Sequence, residues 1–302
     1  MEKIDVAVQS YKKPESLIYT LLTLHKYCKD YIDTIYIDDD KSGGDEYKIY
    51  TSDSVIRSLS PWKIKVRINE EKAGLYFFTD SMLKRGHCKF QYYYYKLRKR
   101  NPIVLKSEED IRYQWAINAT DKKYLLLIHD DVKFVGDICS ILLNSIDSNT
   151  SIVGELGQCW RCSKNNICNP KKVFATNFHP YSTYPTIRSL DVRKKRICRI
   201  NEWACLLNAT IAKKIACNDK VYFGSYEHFG DIGVYWFDYV YDLGYKFHDP
   251  FVENNFDKND YYIHCWQGFS GHSVWEDQGQ GIQTYDKDMI KSLITKEFNV
   301  KL

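Results

Sequence analysis

The sequence predicts an α/β protein organised around a largely parallel sheet. Short apolar runs alternate with helical apolar patterns through the first half of the chain. The run Lys123-Tyr124-Leu125-Leu126-Leu127-Ile128 is apolar without alternation, as a strand buried on both faces must be. Two acidic clusters, Asp38-Asp39-Asp40 and His129-Asp130-Asp131, stand where strands end.

The elements follow in order. Ile4 to Val8 reads as the first strand and is broken at Ser10-Tyr11-Lys12-Lys13-Pro14. A helix starts there, because Pro14 suits its first turn, Glu15 its positive end, and Leu17, Ile18, Leu21, Leu22 and Leu24 make an apolar face. Thr34 to Ile37 is the second strand, so strand, helix and strand form a right-handed parallel unit. Trp62 to Ile68 is the third strand, and Lys84 to Arg100 is basic and tyrosine-rich without a clean period. Glu108 to Ala119 reads as one helix feeding the central strand. Further helices are expected near 137–146 and over Ile232 to Val240, with a cysteine-containing insert at about 159–198 between them.

A chain of 302 residues, 44% of them hydrophobic, is long enough to bury a large core as one domain. A first half is expected over 1–136, a second half over 137–250 and a loop region over 251–302. The formal charge of +4, from 43 basic and 39 acidic residues, is too balanced for a nucleic-acid partner. No apolar run reaches the roughly 18 residues of a membrane span, and the first residues run into a strand pattern, so a cytoplasmic protein is expected. In that setting the ten cysteines are thiols or metal ligands rather than disulfides. Cys159, Cys162, Cys168 and Cys198 suit either structural Zn²⁺ or packing as small hydrophobes.

Ligands of open α/β sheets bind at the carboxyl ends of the strands. Both acidic clusters are expected there, where they would face one cleft. A carboxylate at the end of a buried strand is costly unless it accepts hydrogen bonds or holds a cation. Carboxylates with one imidazole suit Mn²⁺ or Mg²⁺, which in turn binds nucleotide phosphates.

Five segments carry a family resemblance. They are Val6 to Leu17, Ile35 to Asp40, Leu127 to Val132, Asn201 to Asn208, and Glu227 to Asp231 with Leu243 to Lys246. In order and spacing the chain resembles the inverting GT-A glycosyltransferases of the large family 2 group. The resemblance implies a Rossmann-like nucleotide-binding sheet with an acceptor-side subregion. It also implies transfer of a sugar from a nucleoside-diphosphate donor, a UDP-sugar, to a hydroxyl of a glycan or glycolipid. Asp38 or Asp39 would hold the base or ribose, with Gln9 and Tyr11 beside them. Asp131 would hold the metal, and His129 or Asp130 would touch ribose, phosphate or metal. Lys72 and Arg112 would add positive charge near the diphosphate. A histidine from the tail, His264 or His272, would return to the metal.

The first position of the family's metal-binding motif is His129 here rather than an aspartate. The family's catalytic base belongs to an adjacent Glu-Asp pair, whereas Glu227 and Asp231 lie four apart and would share a face if helical. Asp231 is the expected base and Glu227 the second choice.

The mixture of Tyr92 to Tyr95 with Lys96, Arg98, Lys99 and Arg100 suits an anionic membrane surface, a lipid-diphosphate acceptor or nucleic acid, and is read as an acceptor contact or a peripheral contact at the inner face of a membrane. Two other readings are weighed. A nucleotidyltransferase would carry a glycine-rich phosphate loop after its first strand, which Ser10 to Pro14 is not. A zinc-containing nucleic-acid-binding module conflicts with the balanced charge.

Overall fold

The computed structural model describes residues 2–156, 199–230, 232–265 and 286–302. The chain begins with β1 (Ile4–Ser10), α1 (Pro14–Cys28) and β2 (Ile32–Asp39). It continues through short helices α2 (Glu46–Tyr50) and α3 (Asp53–Ser58) to β3 (Lys63–Ile68). Next come β4 (Phe77–Thr79), α4 (Asp80–Leu83), α5 (Gly86–Leu97), β5 (Ile103–Leu105) and α6 (Gln114–Ala119). They lead to β6 (Tyr124–His129), β7 (Val132–Phe134), α7 (Ile138–Asn144) and β8 (Thr150–Leu156). Beyond residue 198 stand β9 (Ile200–Asn208), α8 (Ala209–Asp219), α9 (Val234–Asp242), β10 (Lys246–His248), α10 (Pro250–Glu253), β11 (Tyr262–His264) and α11 (Lys287–Phe298).

The expected α/β architecture is what the structure shows. Seven strands form one sheet in the order β10-β8-β9-β6-β1-β2-β3. β1 runs parallel to both β2 and β6, and β2 parallel to β3, whereas β9 is antiparallel to β6 and β8. β6 shows why its sequence does not alternate: Leu126 and Ile128 pack into the core under α1 and α11, and Leu125 and Leu127 into the core under α6 and α9. Burying each such side chain contributes about 1.5–3 kcal/mol. A third cluster, with Phe77, Phe78, Met82 and Cys88, lies beneath α4 and α5.

One expectation is corrected, and one segment left without an element is assigned. Glu108 to Ala119 is not one helix but a 3₁₀ turn, Glu108–Asp110, followed by α6. The break is tertiary in origin. The buried Asp110 carboxylate accepts from Arg67 and from the backbone N–H groups of Glu70 and Glu71, and Tyr113 takes a left-handed φ of 66°. The Lys84 to Arg100 segment, which lacks a clear period, is largely the helix α5, because aromatic residues cover its outer side as well as its inner one. The cysteine insert, with Cys159, Cys162, Cys168 and Cys198, lies outside the described residues, as do Asp231 and His272.

Candidate active site

Strand register assembles the site. Gln9 at the end of β1 pairs with Asp38 of β2 on one side and with His129 of β6 on the other. Side chains at matching positions of neighbouring strands share a face, so these three stand in a row at the carboxyl edge of the sheet. The next residues point the other way, and there Ser10 donates to Asp130 Oδ2 at 2.9 Å.

In the nucleotide half of this row, Asp38 is buried and its Oδ1 lies 3.3 Å from the Arg67 guanidinium. Its Oδ2 is buried without a partner among the described residues. Burial pushes the Asp38 carboxyl well above its ordinary range, outweighing Arg67. Gln9 is placed similarly: its Oε1 accepts from Arg112 Nε at 2.5 Å, and its Nε2 is buried without a partner among the described residues. Asp39 is already satisfied by Ser42, through both its N–H and its hydroxyl, and by Tyr50. Asp40 accepts from Asn69 and the Ala73 N–H. The Lys72 ammonium lies 3.9 Å from the Tyr11 ring centroid, a cation–π contact.

The other half is a cluster of metal-ligating groups. β7 and β11 pair antiparallel with Val132 opposite His264, and Cys265 N–H donates to the Asp131 carbonyl. That pairing carries His264 back to the end of β6. His264 Nε2 lies 2.9 Å from Asp131 Oδ1, and His129 Nδ1 lies 3.7 Å from the same oxygen. One ligand atom from each of His129, Asp131 and His264 falls within 4.8 Å of the others. Two nitrogens and a carboxylate oxygen suit Mn²⁺ and related divalent ions. His264 Nδ1 is buried without a partner among the described residues, and its ring lies against Trp203, with centroids 4.5 Å apart.

Around the triad the charges are fixed by neighbours. Lys13, at the entry to α1, lies 2.9 Å from Asp130 Oδ1 and 3.3 Å from Asp131 Oδ2. Burial opposes its charge, but the two carboxylates outweigh burial and raise its pKa. Burial opposes the charge of Asp131, yet Lys13 and His264 hold its carboxyl well below its ordinary value. Glu202 accepts from Arg199 and lies 3.2 Å from His129 Nε2. Burial alone would raise its pKa, yet Arg199 and then His129 bring it to about 2. A carboxylate holding the far nitrogen of a ligating histidine fixes the ring and its tautomer.

Glu227 stands elsewhere. It is buried and accepts from Arg85, His87, Cys88 and Ser225. His228 and Phe229 take left-handed φ values of 55° and 58°, so Glu227–Phe229 is a 3₁₀ turn rather than the start of a regular helix. Sequence reasoning assigned no role to Lys13, Arg67 or Glu202. The signal for Lys13 was its place between an apolar strand end and Pro14; Glu202 is legible only through the pairing of β9 with β6.

No protein-family model matches the chain, and no curated protein sequence matches it. Solved structures match at low identity. A mannosyltransferase from Pyrobaculum calidifontis, in complex with GDP-Man and Mn²⁺, is 10% identical with a TM-score of 0.46, over 82% of this chain and 54% of its own. Core-mannan synthase A from Aspergillus fumigatus, in a Mn/GDP form, is 13% identical with a TM-score of 0.45, over 87% and 75%. Glucosyl-3-phosphoglycerate synthase from Mycobacterium tuberculosis, in complex with phosphoglyceric acid, is 10% identical with a TM-score of 0.42, over 82% and 69%. The chain spans about half the length of the first of these. Matches this distant leave function to be read from the chain's own side chains.

Proposed function

We propose that this chain is a metal-dependent glycosyltransferase of the GT-A type. It takes a sugar from a nucleoside-diphosphate donor and transfers it to a hydroxyl of a glycan or glycolipid. One observation carries the reading: along a single sheet edge, the partnerless buried atoms Asp38 Oδ2 and Gln9 Nε2 stand next to the His129–Asp131–His264 cluster. Buried polar atoms are costly to leave unpaired, so a nucleotide that supplies their partners is favoured.

Asp38 offers one free oxygen, because Arg67 occupies the other. That suits the single imide N–H of uracil better than the two-donor edge of guanine, and UDP is the proposed carrier. Arg112 and Lys72 add positive charge towards the diphosphate. His129, Asp131 and His264 would hold Mn²⁺ or Mg²⁺, with Glu202 orienting His129. The bound ion would neutralise the charge on the leaving diphosphate. Asp231, on the sequence resemblance, is the base that takes the acceptor's proton, and a single displacement inverts the anomeric centre. Glu227, enclosed by four donors, serves the scaffold instead.

The test is a panel of nucleotide sugars incubated with the full chain, with Mn²⁺ or with EDTA, reading released nucleoside diphosphate. Release of UDP that depends on Mn²⁺ supports the reading. Release of sugar 1-phosphate instead, with the nucleoside monophosphate passed on, would indicate nucleotidyl transfer.

A further inference from the structure

Helix α5 carries a surface that the proposed reaction does not use. Its inner face is anchored: Arg85, His87 and Cys88 hold Glu227, and Gln91 Nε2 donates to the Tyr226 carbonyl at 2.8 Å. Its outer face is largely exposed, although Phe90 and Tyr94 also meet Phe229 edge-on. Phe90, Tyr93, Tyr94 and Leu97 are 54%, 54%, 37% and 84% exposed. Their spacing of i, i+3, i+4 and i+7 places them within an arc of about 100° on one side of the helix.

The charge around this ridge has one sign. Between Ser81 and Lys106 the chain has eight basic residues and no acidic one. Lys84, Lys89, Lys96, Arg98, Lys99 and Arg100 are exposed, and none makes an ion pair among the described residues. Elsewhere exposed lysines do pair with acids, as Lys48 does with Asp45 and Lys63 with Asp33. Lys96 and Arg98 lie over the rings of Tyr92 and Tyr94, which keeps cations beside the aromatic ridge.

We propose that α5 docks the protein on an anionic lipid surface, lying in the plane of the interface with Phe90, Tyr93, Tyr94 and Leu97 directed into it. An apolar stripe flanked by unpaired bases matches that partner in both hydrophobicity and charge. Nucleic acid fits less well. Leu97, the most exposed member of the ridge, has no stacking face, and a convex helix offers no groove for a phosphate backbone.

The experiment is co-sedimentation of the full chain with vesicles of phosphatidylcholine alone or with one-third phosphatidylserine, without substrate, so that the outcome is independent of the catalytic reading. The wild type should sediment with the phosphatidylserine vesicles and not with the neutral ones. Arg98→Gln/Lys99→Gln/Arg100→Gln should weaken binding by about a hundredfold, at roughly fivefold per charge. Phe90→Ser/Leu97→Ser should weaken it by at least about tenfold. Lys26→Gln/Lys29→Gln at the C-terminal end of α1, which removes charge from another face, should bind as the wild type. Equal sedimentation with both vesicle types, absence of sedimentation with either, or α5 variants that bind as the wild type would overturn the proposal. So would α5 variants that lose single-stranded RNA binding while keeping vesicle binding.

Discussion

Lys13 and Asp131 meet inside the site, the ammonium 3.3 Å from Oδ2, while Oδ1 of the same carboxylate lies 2.9 Å from His264 Nε2. The two oxygens therefore have separate tasks. One is neutralised from within the chain, and the other is turned towards the two histidines that would share a cation. Lys13 thus keeps Asp130 and Asp131 from facing each other as uncompensated buried charges when no ion is bound.

Lys13→Met tests that division. Removing one partner of a buried ion pair costs about 3–5 kcal/mol. The metal-free variant should unfold at a lower temperature than the wild type, and Mn²⁺ should raise its melting point by more than it raises the wild type's. Equal Mn²⁺-induced shifts in the two proteins would show that ammonium and metal do not share this charge.

Asp38→Ala should weaken UDP binding by roughly tenfold to a hundredfold, the worth of a hydrogen bond to a charged group. Calorimetric titration with UDP, beside a circular dichroism check of folding, measures it. An unchanged affinity would remove Asp38 from the nucleotide site.

Glu227→Gln separates a scaffold role from a catalytic one. The Glu227 carboxyl sits below its ordinary value of 4.5, because His87 and Arg85 outweigh burial. A lowered folded-state pKa means that the stabilisation is present above about pH 4.5 and is lost as the pH falls through the folded value. Denaturant unfolding should show the variant less stable than the wild type by about 3 kcal/mol at pH 7, with the gap closing at acid pH. A constant gap across that range would mean that charge is not what Glu227 contributes.

Gly224→Ala should disturb Arg112 from outside the site. A Cβ at Gly224 would clash with the Arg112 carbonyl oxygen, so one of the two backbone segments must shift. The expected loss is about 1–3 kcal/mol of stability together with a raised KM for donor. A wild-type KM despite the lost stability would show that Arg112 does not depend on this close approach.

Much of the sheet was legible because its determinants are local. The unalternating run of β6, the Pro14 start of α1 and the acidic strand ends are visible in a few consecutive residues. Asp38, His129 and Asp131 could be singled out for that reason. Lys13 had only a weak local signal, its place before Pro14, because its partners Asp130 and Asp131 are more than a hundred residues away, and Glu202 had none, since it acquires meaning only through the antiparallel β9. The helix drawn across Glu108 to Ala119 failed for a related reason, because Asp110 is held by Arg67 from 43 residues away. The family resemblance offered Glu227 as a second base, but its four donors come from the start of α5 and from Ser225, which no local pattern announces.

The central claim is that His129, Asp131 and His264 form a divalent-metal site beside a nucleotide pocket. It is tested most directly by titrating the full chain with Mn²⁺ under electron paramagnetic resonance, with and without UDP. About one Mn²⁺ per chain should bind, held more tightly when UDP is present, with binding lost in Asp131→Asn and strongly weakened in His264→Ala. Mn²⁺ binding that is indifferent to UDP and unchanged in both variants would contradict it.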